Sequence, residues 1–147
     1  MSQILPWLYL GSYYDASDEQ WLKKHNITGI INIAAELNFM DYPSFILPEN
    51  ILRLPAQDSS KFNIEPYFDM CYLFISISKL EKRNVLIHCM AGISRSTTVA
   101  VYYIAKINRW TSSATLDYIK KRRPQAKPNH GFIKQLQSKD MNLVTEN

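Results

Sequence analysis

One cysteine and one arginine, separated by five residues, carry the clearest chemical signal in this sequence. Cys89 and Arg95 lie in the stretch His-Cys-Met-Ala-Gly-Ile-Ser-Arg-Ser at residues 88–96. A thiol becomes a strong nucleophile when it loses its proton, and nearby positive charge favours that loss. An arginine guanidinium offers a planar fork of donors that matches a tetrahedral oxyanion. The pair therefore predicts nucleophilic attack on a bound phosphate ester.

The flanking residues predict a strand before this stretch and a helix after it. Residues 85–87 form a short apolar run of the kind found in buried strands. N-capping residue types and a second apolar run predict a buried helix from Ser96 to Asn108. The tight loop between the two contains Gly92. A strand, a tight loop and a helix N-terminus form an anion site, because loop N–H groups converge and the helix dipole favours negative charge.

The predicted phosphate-binding loop contains six residues: Met90, Ala91, Gly92, Ile93, Ser94 and Arg95. It would hold the phosphate while Cys89 attacks phosphorus, and the Ser96 hydroxyl can donate a hydrogen bond to the sulfur. The alternative is that Cys89 is a buried core residue and Arg95 a surface charge. The agreement of strand, loop and helix with one motif favours the catalytic interpretation.

Three stretches of the sequence resemble the dual-specificity phosphatases, a branch of the cysteine-based protein tyrosine phosphatase superfamily. They are residues 88–96, Ile-Leu-Pro-Trp-Leu-Tyr-Leu-Gly-Ser at 4–12 and Lys-Pro-Asn-His-Gly-Phe at 127–132. The resemblance implies that Cys89 forms a phosphocysteine intermediate, which water then hydrolyses. It further implies that His88 and Asn129 support the catalytic loop. It also implies that Arg123 lies at the pocket rim, where it would help to bind a second phosphate on the substrate.

Asp58 is the predicted general acid. A thiolate cannot supply the proton that the leaving oxygen needs, so a carboxylic acid is expected near the nucleophile. Asp58 follows a predicted strand at Ile51–Leu54, in a loop able to swing over the catalytic pocket. The stretch from Pro55 to Ile64 also resembles the general-acid loop of the family. Asp41, the next loop aspartate upstream, is the alternative acid.

Strands and helices alternate along the chain, which predicts an α/β fold with a central, mostly parallel twisted sheet flanked by helices. Further strands are expected at Ile4–Leu10, Ile27–Ala34 and Ile51–Leu54, and further helices at Asp18–His25, Ile64–Leu80, Ser112–Arg122 and Gly131–Lys139. Pro6 predicts that the first strand is an edge strand, because proline cannot donate in a central ladder. We expect one stand-alone catalytic domain over residues 1–139 and a polar tail over 140–147.

The composition argues against several other classes of protein. The chain has 147 residues, of which 46% are hydrophobic, and a formal net charge of +4, as in an ordinary globular domain with a mild attraction for anions. The absence of a basic stripe argues against nucleic acid. The absence of a signal peptide or a long apolar run argues against a membrane anchor. A catalytic thiolate requires a reducing compartment, so we expect a cytoplasmic location, with the nucleus as the alternative.

The two cysteines have no metal-type spacing, so neither a disulfide framework nor a zinc site is expected. We expect no cofactor. Cys71 lies on the predicted buried face of the helix at Ile64–Leu80. Its expected role is that of a small core residue. The alternative is a thiol that pairs with oxidised Cys89.

Three functions compete for this sequence, and all leave the oligomeric state open. The first is hydrolysis of phosphotyrosine and of phosphoserine or phosphothreonine in protein substrates. The second is a binding module that holds phosphorylated partners without cleaving them, against which the presence of Cys89, Arg95 and Asp58 argues. The third is hydrolysis of a non-protein ester, such as an RNA 5′ end or a phosphoinositide. Phosphoinositide phosphatases of the superfamily place lysines in the catalytic loop, and this loop has none.

Overall fold

The fold is a five-stranded sheet with helices on both faces, seen in a computed structural model that describes residues 1–145. The strands are β1 (Ser2–Leu5), β2 (Leu8–Gly11), β3 (Ile27–Asn32), β4 (Ile51–Arg53) and β5 (Asn84–His88). The helices are α1 (Tyr13–Ala16), α2 (Glu19–Lys24), α3 (Phe68–Leu80), α4 (Arg95–Asn108), α5 (Ser112–Arg122) and α6 (His130–Thr145), with single 3₁₀ turns at Ala35–Leu37, Pro48–Asn50 and Glu65–Tyr67. This architecture confirms the predicted α/β fold class.

The strand order β1-β2-β5-β3-β4 places the active-site strand at the centre of the sheet. Only β1 is antiparallel to its neighbour, and the other four strands run parallel. Because β2, β5 and β3 are in register, Gly11, His88 and Asn32 lie side by side where these strands end. Ligands of parallel sheets bind at this carboxyl edge, so the topology places Cys89 where the chemistry is expected.

Side chains alternate across the strands and separate two hydrophobic cores. Tyr9, Ile30 and Leu86 face a smaller core that α2 covers with Leu22. The opposite face packs against α3, α4, α5 and α6, whose inward side chains include Ile75, Val99, Ile104, Ile119 and Phe132. Strand β5 is buried on both faces, as a central parallel strand should be. The catalytic loop therefore starts from a strand that is enclosed on both sides.

The N-terminal segment differs from the predicted single edge strand. Pro6 and Trp7 form the turn of a hairpin, so the chain enters the sheet twice, as β1 at the edge and β2 beside β5. All four residues of β2 are buried. Proline interrupts the ladder here instead of lying in an edge strand, because its nitrogen has no hydrogen to donate.

The prediction that a polar tail begins at residue 140 is wrong. Helix α6 runs to Thr145, and the Asp140 carboxylate accepts hydrogen bonds from both the backbone N–H and the hydroxyl of Ser112, each at 2.8 Å. Asp140 therefore connects α6 to the start of α5, a contact that composition alone does not reveal. Residues 146 and 147 lie outside the described part of the chain.

Cys71 lies in the larger core with 1% of its surface exposed, as predicted. Burial raises the pKa of its thiol to about 12, so the group stays protonated near neutral pH. Its pairing with oxidised Cys89 stays a prediction. Among the described helices, none combines the length and apolar character that crossing a membrane requires.

Candidate active site

Four backbone carbonyl oxygens of the loop between β5 and α4 accept hydrogen bonds from residues outside the loop. These bonds run from Tyr13 N–H to Met90 (2.9 Å), Arg123 Nε to Gly92 (2.8 Å), Lys127 N–H to Ile93 (2.9 Å) and Thr98 N–H to Ser94 (3.0 Å). Within residues 1–145, the N–H groups of residues 90–94 donate to no protein acceptor. Because these carbonyls are bonded to neighbouring elements, the loop keeps its shape and its N–H groups remain available to bind an anion.

The N-terminus of α4 is also open. Ser94 occupies the N-cap position, but its side chain does not cap the helix. Its Oγ instead accepts a hydrogen bond from the N–H of Asn129 at 2.9 Å. The loop can turn this tightly because Gly92 has a φ of 71°, and a Cβ there would lie 2.6 Å from the Gly11 carbonyl. The helix dipole therefore faces an uncapped anion site.

Cys89 lies at the base of this loop with 2% of its surface exposed. Its Sγ is 3.3 Å from the Oγ of Ser96, which is fully buried. A thiolate has no proton to donate, so in that state the Ser96 hydroxyl is the donor. The structure thus brings together the two side chains that the motif placed seven positions apart.

Arg95 is buried and forms a two-pronged ion pair with Glu36. Its Nη1 lies 2.5 Å from Oε1 and its Nη2 lies 2.8 Å from Oε2, and Nη1 also donates to the Ala56 carbonyl at 2.9 Å. This contact holds the pKa of the Glu36 carboxyl below its usual range. The Nε of Arg95 is buried and has no partner among the described residues. The guanidinium is therefore fixed in place while Nε remains free to bind an oxyanion.

Sequence reasoning did not find Glu36. Its only signal is position, because it follows the carboxyl end of β3, which lies beside β5 at the same edge of the sheet.

His88 supports the backbone at Cys89, in keeping with the predicted role. It is fully buried, and burial lowers the pKa of its imidazole to about 4, so the ring is neutral near pH 7. Its Nδ1 lies 3.3 Å from the Cys89 carbonyl, and its Nε2 lies 2.5 Å from the hydroxyl of Tyr42. A carbonyl can only accept, so Nδ1 carries the proton and Nε2 accepts from Tyr42.

Tyr42 was also not predicted from the sequence. The Arg53 guanidinium lies 5.2 Å from the centre of its ring and donates to the carbonyls of Asn38 and Met40 at 3.0 and 2.7 Å. Arg53 therefore orders the segment that carries Tyr42 to His88.

Asp58 is exposed, and hydrogen bonds through Asn129 connect it to the catalytic loop. Its Oδ1 accepts a hydrogen bond from Asn129 Nδ2 at 2.9 Å. Asn129 donates its backbone N–H to Ser94 and accepts the N–H of Phe132 at 2.9 Å, which caps the start of α6. Asn129 thus links the candidate acid, the phosphate-binding loop and α6, in keeping with its predicted supporting role.

The acid-bearing loop, residues 55–63, rests against α6. A Cβ on Gly131 would lie only 1.9 Å from the Ser60 carbonyl, so only glycine permits this approach. The side chain of Gln135 accepts the N–H groups of Ile64 and Glu65 and donates to the Phe62 carbonyl, each at 2.9 Å. Helix α6 therefore fixes the far end of the loop, while Asp58 itself faces solvent.

Arg123 does not lie at the pocket rim, and this expectation is wrong. The side chain is buried, with 4% exposed. Its Nε donates to the Gly92 carbonyl at 2.8 Å and its Nη1 to the Ser2 hydroxyl at 2.9 Å. A side chain this buried, with two nitrogens bonded to Gly92 and Ser2, does not present its charge at the pocket rim. Its bond to Gly92 braces the catalytic loop from outside.

The site holds no metal-binding arrangement: in the described part of the chain, no three His, Cys, Asp or Glu side chains could share an ion. Three reactive side chains make up the site. They are a thiol beneath an anion cradle, a fixed guanidinium and an exposed carboxyl group.

Comparison with known proteins places the chain in a family. Residues 8–141 match the model "Dual specificity phosphatase, catalytic domain". The chain is 38% identical over 136 residues to dual specificity protein phosphatase 1 of Arabidopsis thaliana, covering 92% of this chain and 67% of the relative. It is also 38% identical over 138 residues to dual specificity protein phosphatase 15 of Mus musculus, covering 93% and 56%. The chain belongs to the dual-specificity phosphatase family.

Solved structures agree with this assignment. The crystal structure of human tyrosine phosphatase-like serine/threonine/tyrosine-interacting protein has a TM-score of 0.86 and 34% identity, covering 98% of this chain and 97% of that chain. The crystal structure of DUSP15 has a TM-score of 0.85 and 35% identity, covering 99% and 93%. These similarities confirm the predicted tyrosine phosphatase-like fold. The chain nevertheless spans only part of some curated relatives, such as 20% of tyrosine-protein phosphatase vhp-1 of Caenorhabditis elegans.

Proposed function

We propose that this domain is a protein phosphatase that hydrolyses phosphotyrosine and phosphoserine or phosphothreonine through a phosphocysteine on Cys89. One observation carries the proposal. The Cys89 sulfur lies beneath a loop whose N–H groups, together with Arg95 Nε, have no protein acceptor among the described residues. The names of the relatives, which describe dual-specificity phosphatases, support the same substrate class.

In the first step, the loop and Arg95 hold the phosphate of the substrate. The Cys89 thiolate attacks phosphorus, so a sulfur–phosphorus bond forms as the ester phosphorus–oxygen bond breaks. Asp58 gives its proton to the leaving oxygen, which departs as the free hydroxyl of the dephosphorylated residue. The charge that builds on the phosphoryl oxygens meets donors that are already in place, which lowers the barrier.

In the second step, water hydrolyses the phosphocysteine. Asp58, now a carboxylate, accepts a proton from the attacking water, and the sulfur–phosphorus bond breaks. The Ser96 hydroxyl donates to the departing thiolate from 3.3 Å. Inorganic phosphate leaves, and both Cys89 and Asp58 have returned to their starting states. Because a thiolate catalyst is lost to oxidation, we also propose that the protein acts in the cytoplasm.

A binding module is the second candidate, because one structural neighbour is named a phosphatase-like interacting protein. The two functions separate in one experiment. The purified protein is given a small aryl phosphate and one peptide in its phosphotyrosine, phosphoserine and phosphothreonine forms, beside Cys89→Ser. We expect release of phosphate by the wild type only, and a phosphorylated Cys89 peptide after acid quenching. Tight peptide binding by the wild type with no release of phosphate would favour the binding module.

A further inference from the structure

A groove of about 430 Å³ borders the catalytic loop on the side of α1. Two of its lining residues are tied to that loop. The N–H of Tyr13 donates to the Met90 carbonyl at 2.9 Å, and Glu36 forms the ion pair with Arg95. The groove therefore lies beside the catalytic loop, next to the side that Glu36 and Tyr13 contact. A peptide whose phosphorylated side chain enters the pocket must place a neighbouring residue close to it.

Apolar side chains form much of the groove wall. Phe39 is 92% exposed, more than any other large apolar side chain among residues 1–140, and the partly buried Leu37 and Met40 lie beside it. A phenylalanine this exposed adds little to the core of its own domain, and apolar side chains grouped together on the surface indicate a contact site. The ring of Tyr13 adds a second aromatic surface. These residues suit a long alkyl chain.

The same groove carries negative charge. The Asp41 carboxylate is exposed and forms no hydrogen bond or ion pair with the side chains of residues 1–140. Glu36 is paired with Arg95, but 49% of its side chain remains exposed. No lysine or arginine belongs to the described lining, although the whole chain has a net charge of +4. The charged side chains that line the groove are therefore acidic, although the molecule as a whole is basic.

An alkyl chain that ends in a positive charge matches both features. Lysine and arginine pack their stems on apolar surface and keep the charged end in contact with water or a carboxylate. Their cations also bind the faces of aromatic rings, and arginine forms two-pronged contacts with carboxylates. A neutral side chain would match only the apolar wall. An acidic side chain would match neither the apolar wall nor the negative charge.

We propose that this groove binds an arginine or lysine side chain of the protein substrate, next to the phosphorylated residue. The proposal rests on the proposed phosphatase function and names a preference within it. Asp41 attracts the charge, and Phe39 packs against the stem. The groove thereby selects phosphorylated proteins in which a basic residue flanks the phosphate.

The test uses phosphotyrosine peptides with an alanine background and a single arginine at each of the two positions before or after the phosphotyrosine. A matching series carries glutamate, and kcat/KM is measured for each peptide. We expect arginine to raise kcat/KM about three- to tenfold over alanine at one or more of these positions, the effect of a partly exposed ion pair joined by a cation–ring contact. Glutamate should lower it there.

Substitutions in the groove sharpen the test. Asp41→Asn and Phe39→Ala should each reduce the arginine preference and leave the hydrolysis of a small aryl phosphate unchanged. Asp41→Lys should reverse the preference in favour of glutamate. The matched control is Asp117→Asn, which removes an exposed carboxylate on α5 that does not line the groove. It should keep the full preference for arginine.

Two results would overturn the proposal. One is equal kcat/KM for arginine, alanine and glutamate peptides at every position while the aryl phosphate is turned over. The other is an arginine preference that survives Asp41→Asn, Phe39→Ala and Asp41→Lys. Failure of the wild type to hydrolyse even the aryl phosphate would instead contradict the proposed function.

Discussion

The phosphate-binding loop and the acid-bearing loop serve one reaction, yet the chain holds them in opposite ways. Cys89, Arg95 and Ser96 have at most 4% of their surface exposed, and bonds from several elements hold the loop around them. Asp58 is exposed, and a single side-chain hydrogen bond from Asn129 holds its carboxylate.

The difference follows from what each loop must do. Donors that stabilise developing charge are most effective when they need not reorganise during the reaction, so the phosphate loop is rigid. The acid must reach the leaving oxygen in the first step and the attacking water in the second, and its loop must allow the substrate to enter. Loose attachment at the surface suits both tasks. Substitutions in the two loops should therefore have different consequences.

The largest effect is expected from Cys89→Ser, in the rigid loop. Turnover should fall by at least about 10⁴-fold, as when other covalent catalysts lose their nucleophile. Binding of inorganic phosphate should survive, because the loop amides and Arg95 remain. Calorimetry with phosphate checks this. Substantial turnover by the purified variant would remove Cys89 from its proposed role, and lost phosphate binding would contradict a rigid cradle.

Asp58→Asn, in the exposed loop, should lower kcat/KM by about 10²–10⁴-fold for phosphoserine, whose alkoxide cannot leave without a proton. The loss should be small for an aryl phosphate with a very acidic phenol. The control is Asp41→Asn on the same two substrates, which should change neither rate. A loss independent of the leaving group would make Asp58 structural.

Glu36→Gln tests the rigid loop by weakening the contact that orients Arg95. An amide cannot form the charged two-pronged contact, so Arg95 should lose its fixed orientation. We expect kcat to fall by about 10–100-fold, the usual cost of removing a residue that orients a functional group. Glu49→Gln, an exposed carboxylate in the turn Pro48–Asn50, is the control. Equal kcat in Glu36→Gln and the wild type would show that Arg95 needs no such partner.

Arg123→Ala tests whether the catalytic loop needs the hydrogen bond that Arg123 donates to it. The Gly92 carbonyl would lose its donor, which should lower the free energy of unfolding by about 1–3 kcal/mol. The kcat/KM values for singly and doubly phosphorylated peptides should fall by the same factor. Urea unfolding and steady-state kinetics measure the two effects. A loss confined to the doubly phosphorylated peptide would restore the rim role that the sequence suggested.

The buried site should also make folding sensitive to acid. The pKa of His88 is about 4 in the folded protein, below the ordinary value of 6.5, so the unfolded chain binds the proton more tightly. Stability is complete above pH 6.5 and is lost as the pH falls toward 4, by about 2 kcal/mol between pH 7 and pH 5. Urea unfolding at both pH values should show a smaller loss for His88→Gln than for wild type. His130→Gln, at an exposed position, should keep the wild-type dependence.

The contrast between local and distant contacts explains what the sequence could predict. The nucleophile, the phosphate loop and Ser96 belong to one continuous strand, loop and helix, so their spacing alone fixed their geometry. Tyr42 reaches His88 from 46 positions away, and Glu36 reaches Arg95 from 59 positions away. Arg123 matched a family position, but whether it faces solvent or Gly92 depends on how α5 packs. The apolar run at Ile4–Leu10 likewise did not distinguish one strand from a hairpin.

The bonds from outside that hold the loop carbonyls couple anion binding to the folding of the whole domain. The donors come from α1, α4, the end of α5 and the segment before α6, so unfolding any of these parts would scatter the amides that bind the ion. An anion at 100 times its dissociation constant would then stabilise the native state by about 2.7 kcal/mol. A substrate-laden enzyme should resist heat and proteases better than an idle one, and the protein should be degraded fastest when phosphorylated partners are scarce.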